Sequence, residues 1–212
     1  MNNSMSPPNG TVPNNLTLQP NGYTNGYTNG TSNPETYDLI CVGFGPAALA
    51  IAIALHERTD PEPKNVLFLD RQSEFAWHSG MLLPETRMQI SFMKDLATMR
   101  NPQSKFTFIN YLHQKGRLAS FLNLGTFLPF REEYNDYMAW CASHFDSQVK
   151  YSEDVISVLP VRTEVDAPDG DAPVSAWEVL STSQSTGKTS SYKTKNLVTR
   201  FQGVCTDEEG GF

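Results

Sequence analysis

Tyr37-Asp38-Leu39-Ile40-Cys41-Val42-Gly43-Phe44-Gly45-Pro46-Ala47-Ala48-Leu49-Ala50 is the stretch on which the fold turns. Its first half is an apolar run of the kind a buried parallel strand uses, its middle a glycine turn, its end an alanine-rich helix. A second run, Val66-Leu67-Phe68-Leu69-Asp70, reads as a strand closed by an acid. Strand, turn, helix and strand make a βαβ unit shaped for a dinucleotide. Gly43 permits a tight turn, Gly45 lets the main chain approach a pyrophosphate, and Ala48, standing for a third glycine, still allows close helix–strand packing. The helix that opens near Pro46 and Ala47 aims free N–H groups and its positive dipole end at phosphate. Asp70 is placed to accept from a ribose hydroxyl. It stands 27 positions beyond Gly43, against a usual spacing of about 20, and the connection from His56 to Asn65 accounts for the excess. The glycines alone would also suit an ordinary turn where they serve only geometry; the flanking elements and the terminal acid tip the reading to a nucleotide.

Outward from this unit, size and charge set bounds. The chain has 212 residues, enough for one domain and a tail, and a formal net charge of −7, which argues against nucleic acid or an anionic membrane surface as partner. No window holds the roughly 18 apolar residues of a membrane span. The N-terminus lacks the basic and apolar regions of a secretory signal. Cys41, Cys141 and Cys205 are an odd, scattered set, read as reduced thiols in an intracellular, cytoplasmic protein. No His/Cys spacing suggests a metal.

Residues 1–35, rich in Asn, Pro, Gly, Thr and Ser, bury too little apolar area to offset their ordering entropy and read as a disordered tail. Residues 36–199 read as the foldable part. Arg71–Pro84 is expected to be a loop folded over a site, and 88–100 irregular but apolar. Helices are expected at Lys105–Lys115 and Arg131–Phe145 from their apolar faces. Strands are expected near Val149–Tyr151, Asp154–Val158, Ala176–Leu180 and Ser191–Thr194, forming a β-meander over 149–194, and Asn196–Thr199 begins a parallel core strand. Met81, Met88, Met93 and Met99 read as core filling. From Arg200 to Phe212 neither strand nor helix period persists.

Four blocks carry a family resemblance: Asp38–Ala47, Phe75-Ala76-Trp77-His78-Ser79-Gly80-Met81-Leu82, Met88–Pro102, and Phe106-Thr107-Phe108-Ile109-Asn110-Tyr111-Leu112. On them the chain resembles the flavin-dependent N-hydroxylating monooxygenases, and within these the fungal branch that hydroxylates ornithine. The resemblance covers about residues 37–198. It implies an α/β, FAD-binding, Rossmann-like three-layer domain with a β-meander. FAD would lie on Gly43, Gly45, Pro46, Ala47 and Ala48, with Asp70 on the adenosine ribose. Arg71, Gln72, Trp77, His78 and Gln89 would contact the cofactor, Arg131 would lie near it, and Val155 would bring a backbone group to its adenine end. Lys94 would hold the substrate amino acid. No residue is assigned a catalytic role.

The residues have plainer readings beside these. Lys94, in an apolar stretch, needs a counter-charge, which a substrate carboxylate, Asp95 or another acid would equally supply. Gln89 suits a flavin edge or a loop brace. Trp77 and His78 are as well explained by packing.

The implied activity is FAD- and NADPH-dependent N-hydroxylation of the side-chain amine of L-ornithine, with O2 as oxidant, in siderophore biosynthesis, by enzymes that are homo-oligomeric at full length. Such enzymes continue past the Asn196–Val198 strand into an NADPH-binding domain; here 200–212 departs from the pattern. The expectation is therefore a truncated chain, inactive alone, without the NADPH site. The alternative is a non-catalytic FAD-binding or interaction fragment. A different NAD(P)-dependent Rossmann oxidoreductase is disfavoured by the Trp77–Met81 and Met88–Pro102 blocks.

Overall fold

The structure, a computed structural model, describes residues 36–58, 65–162 and 173–199. The expected tails at 1–35 and 200–212, Cys205, and much of the long connection after the first helix lie outside the described residues. Strand β1 (Thr36–Val42), helix α1 (Pro46–His56) and strand β2 (Val66–Leu69) form the anticipated βαβ unit. β1 and β2 run parallel, Ile40 opposite Leu67 and Cys41 opposite Phe68. Pro46 opens α1, where its missing N–H costs nothing and its fixed φ suits a helix. The helix is almost wholly aliphatic and lays Ala48, Leu49, Ala52 and Ile53 against the sheet.

The sheet has six strands in the order β3-β2-β1-β6-β5-β4. β3 (Val149–Lys150) pairs parallel with β2 at one edge; β4 (Glu153–Arg162), β5 (Val174–Ser183) and β6 (Thr189–Thr199) form an antiparallel meander. This corrects the expected meander in two ways. Val149–Lys150 belongs to the parallel part. Ser191–Thr194 and Asn196–Thr199 are one strand, because no glycine or proline separates them. β6 pairs antiparallel with β5 up to Thr194 and parallel with β1 from Lys193 onward. At the changeover the buried Thr194 hydroxyl bonds to the carbonyls of Tyr37 (3.2 Å) and Asn196 (2.7 Å), and Lys195 pairs with Asp38 at 2.8 Å.

Strand alternation divides the core. Cys41 and Phe68 face α1 and the aromatic-rich helices α2 (Phe108–Gln114), α3 (Leu118–Asn123) and α4 (Arg131–Ala142). Ile40, Leu67 and Leu69 face the meander, packing with Val179 and Tyr192. Helices, parallel strands and meander thus make three layers. α2 starts later than expected because Thr107 caps it, its hydroxyl accepting from the Asn110 N–H at 3.2 Å. Gly116, at φ +67°, ends it, and the Arg117 N–H returns to the Leu112 carbonyl at 2.9 Å. α3 was not anticipated, and α4 gives way at Ser143 to a 3-10 turn.

The methionine reading is also corrected. Met88 is buried, but Met81, Met93 and Met99 are 56%, 43% and 76% exposed, because they sit in turns that present no continuous core face. Cys41 and Cys141 are free and buried; burial pushes the Cys41 thiol up to about 11 and the Cys141 thiol up further. Among the described residues no helix is long and apolar enough to cross a membrane.

Candidate functional site

A cleft of about 380 Å³ opens at the carboxyl ends of β1 and β6. The chain leaves β1 toward β2 on one side, while β6 lies on the other, so the strand order reverses here. Open α/β sheets bind ligands at such a reversal, and the volume is within the range of small-molecule sites. The floor is Gly43, Gly45, Pro46, Ala47 and Ala48; the walls are Asp70, Gln72, Trp77 and His78 on one side and Val198 and Thr199 on the other. Nine sequence-predicted residues therefore converge on one cavity.

The two glycines differ in kind. Gly43 has φ +91°, a conformation L side chains rarely adopt, so the turn itself demands glycine. Gly45 has φ −81° and ψ −174°, open to any residue, and an added Cβ would meet nothing within 4 Å. Nothing among the described residues requires glycine there; a ligand lying against that main chain would. Gly45 is also the N-cap of α1, whose first turn carries no acid and no side-chain cap. Its N–H groups are left for an anion.

Asp70 does more than the sequence suggests. Its carboxylate accepts from the Phe44 N–H at 2.5 Å and from the Gln72 N–H at 2.7 Å. It ties the glycine turn to the loop that follows β2. Lone pairs remain for a ribose hydroxyl.

One face of α4 holds Trp77, which lines the cleft. Arg131 lays its guanidinium over the Trp77 ring at 4.8 Å, Tyr134 meets Trp77 at 5.9 Å between ring centres, and the Asn135 side-chain oxygen accepts from the Trp77 N–H at 3.3 Å. Residues 131, 134 and 135 are one helical face; their spacing was the available signal for Tyr134 and Asn135, which the sequence reading passed over. Trp77 is half-buried against the first core, whereas His78 is exposed, at φ +46°, so the packing explanation covers Trp77 and not His78.

A second cavity, of about 340 Å³, joins Gln89 and Arg131 with Met81, Thr86 and Arg87. Gln89 is exposed, and its amide makes no hydrogen bond among the described residues. Arg131 Nε is buried without a partner, an orphaned donor that costs free energy until an acceptor arrives. These two residues border a neighbouring space rather than the main cleft.

Lys94 ends a 3-10 turn, Phe92–Lys94, and its side chain is exposed with no ion-pair partner among the described residues. The Asp95 alternative fails. That carboxylate is taken by the N–H groups of Ala97, Thr98 and Phe108 and by the Thr98 hydroxyl. Arg71 is exposed and does not line the cleft. Val155 turns its side chain toward the Ile40–Val179 core at a register shift in β4; a contact with a ligand there would be through its main chain. Nearby, the Glu153 N–H donates to the Asp70 carbonyl at 2.9 Å.

Together these features suit a dinucleotide-type cofactor. There is an anion seat at a helix N-terminus, a glycine whose missing side chain leaves the main chain open, an acid beside it, and an aromatic–guanidinium wall.

Comparisons with known proteins agree. The family model for L-lysine 6-monooxygenase/L-ornithine 5-monooxygenase matches residues 35–203. An L-ornithine N(5)-monooxygenase of Emericella nidulans is 54% identical over 184 residues, covering 82% of this chain and 36% of the relative. The solved ornithine hydroxylase of Pseudomonas aeruginosa superposes with a TM-score of 0.70 at 44% identity, over 77% of this chain and 38% of that one. A Kutzneria ornithine N-hydroxylase, solved with reduced FAD, NADP+ and L-ornithine, gives 0.69 at 38% identity, over 77% and 37%. The chain thus spans little more than a third of the length of these relatives.

Proposed function

The chain belongs to the L-lysine 6-monooxygenase/L-ornithine 5-monooxygenase family, and on that footing we propose that its cleft seats FAD for the NADPH- and O2-dependent N-hydroxylation of the L-ornithine side-chain amine. The open main chain at Gly45, beside an uncapped helix N-terminus, carries this reading. Gly43–Ala48 would take the diphosphate, Asp70 the adenosine ribose, Gln72, Trp77 and His78 the near wall, and Gln89 and Arg131 the neighbouring cavity. Arg71 and the Val155 main chain would contact the cofactor from outside the cleft. When bound, FAD supplies the redox chemistry that no amino-acid side chain provides.

The protein's own part is to bind, orient and exclude water. Trp77 presents apolar ring surface that keeps solvent from one wall, and the buried Tyr134 ring packs against it. Lys94, exposed and without an ion-pair partner among the described residues, would hold the substrate α-carboxylate as a point charge and so fix the distance of the side-chain amine from the cofactor. Ornithine is favoured over lysine by the relatives at 54% and 44% identity, which act on ornithine; one methylene alone is worth only about 1–3 kcal/mol of discrimination. A cytoplasmic location and homo-oligomeric assembly accompany this reading.

The alternative reading is FAD binding without turnover. Titration with FAD, followed by NADPH oxidation with and without ornithine and assay of N5-hydroxyornithine, tests both. Yellow protein with ornithine-dependent product supports the enzyme, yellow protein without it the second reading. Protein that stays colourless in excess FAD refutes both.

A further inference from the structure

We propose that Tyr134 is a positioning residue, holding the main chain of Lys94 against the Trp77 wall so that the substrate-side cation and the cofactor-side ring keep one spacing. The inference rests on the reading of Lys94 as the substrate carboxylate's partner. Tyr134 touches both halves of the site. Its ring packs on Trp77, which lines the cleft, and its hydroxyl donates to the Lys94 carbonyl at 3.4 Å.

One turn along the same helix, Tyr137 completes the grip. Its hydroxyl accepts from the Leu96 N–H at 3.2 Å and donates to the Phe106 carbonyl at 2.7 Å. Asp95, between them, is locked by four donors from its own turn and from the start of α2. The main chain of Lys94–Leu96 is therefore clamped by one face of α4, while the Lys94 ammonium is exposed and has no ion-pair partner among the described residues. A rigid main chain under a free charged group is what a preorganised binding residue requires. Burial, with the nearby Asp95 charge adding to it, keeps the Tyr134 phenol protonated well beyond neutral pH, so the hydroxyl remains a donor.

The two tyrosines divide the work. Tyr137 is fully buried and bonded at both lone pair and proton, so its loss would strain folding. Tyr134 alone reaches Trp77, and losing only its hydroxyl removes the link to Lys94 while keeping the ring.

The test is isothermal titration of the FAD-loaded chain with L-ornithine, alongside FAD titration and thermal melting, for wild type, Tyr134→Phe, Tyr134→Leu and Lys94→Ala. Tyr134→Phe should bind FAD within about twofold of wild type and melt about 1–6 °C lower, the worth of one neutral hydrogen bond to the fold, while binding ornithine about 2- to 12-fold more weakly, the same span carried to the site. Tyr134→Leu, which also removes the ring from Trp77, should weaken FAD and ornithine together. Unchanged ornithine affinity in Tyr134→Phe, with binding lost in Lys94→Ala, overturns the positioning role and leaves the reading of Lys94 standing. Ornithine affinity that is unchanged in Lys94→Ala, or absent in wild type, overturns that reading and this proposal with it. Equal weakening of FAD and ornithine by Tyr134→Phe marks a merely structural tyrosine and also overturns the proposal.

Discussion

Replacing each turn glycine by alanine separates a glycine the fold needs from one the ligand needs. At Gly43, φ +91° places a side chain in strained backbone; such residues cost about 1–3 kcal/mol. At about 2–4 °C per kcal/mol for a chain of this size, Gly43→Ala should lower the melting temperature by about 2–12 °C. At Gly45 two small terms oppose each other. Alanine is a poorer N-cap than glycine by about 0.5–1 kcal/mol, while reducing the freedom of the unfolded chain contributes about 0.4–1 kcal/mol in favour. The backbone there is extended and the added Cβ meets nothing within 4 Å, so no steric term enters. Gly45→Ala should therefore melt within about 2 °C of wild type. In the proposed complex the Cβ would occupy space that the FAD diphosphate needs. An overpacking cost of about 1–3 kcal/mol weakens the dissociation constant by a factor of about 5 to 150. Scanning fluorimetry without ligand and FAD fluorescence quenching read the two effects separately. Wild-type FAD affinity in Gly45→Ala, or a melting loss there equal to that of Gly43→Ala, would refute the reasoning.

Asp70→Ala leaves the half-buried Phe44 N–H without its acceptor and should cost about 1–3 kcal/mol, seen as a lower urea midpoint even without FAD; Asp70→Asn, retaining one acceptor oxygen, should lose less. Phe108 is fully buried among Phe92, Tyr111, Phe121, Tyr134 and Tyr137, so Phe108→Ala should cost about 3–5 kcal/mol, whereas Phe127→Ala, at a ring 64% exposed, should cost far less by the same urea assay. Alkaline pH should unfold the chain. Burial raises the Cys41 thiol to about 11 and, with nearby carboxylates adding, the Tyr151 phenol to about 12. Raised acids keep their protons longer folded than unfolded, so this stability is complete below about pH 9 and is lost as pH climbs through 11–12. Melting curves between pH 8 and 12 should fall accordingly, and Cys41→Ser should flatten the early part of that fall.

The βαβ unit was legible because its signals are local and agree: apolar run, glycine turn, aliphatic helix, second apolar run. The nine residues on the cleft follow from that unit and the loop after β2, which stay close in sequence. What the chain alone did not disclose depends on partners far away along it. Thr194 pairs with Tyr37 across 157 positions, and without that pairing nothing in Ser191–Thr199 says that one strand serves two neighbours. Tyr134 reaches Lys94 across 40 positions, so a helix read only for its buried stripe hides a clamp.

The reach of β6 ties architecture to chemistry. Its first half closes the meander over Ile40, Leu67 and Leu69, and its second half lies beside β1 and supplies Val198 and Thr199 to the cleft wall. A slip of one residue at Lys193–Thr194 would turn every later side chain to the opposite face. The buried Thr194 hydroxyl, bonded to both Tyr37 and Asn196, opposes that slip. Thr194→Val keeps the shape, removes that hydroxyl's bonds and leaves the Tyr37 and Asn196 carbonyls without it, at a cost of about 1–3 kcal/mol. FAD affinity should fall beyond what the lost stability explains, because the misplaced wall includes Val198. A variant that is destabilised yet binds FAD as wild type would show that the cleft does not depend on where β6 changes partner.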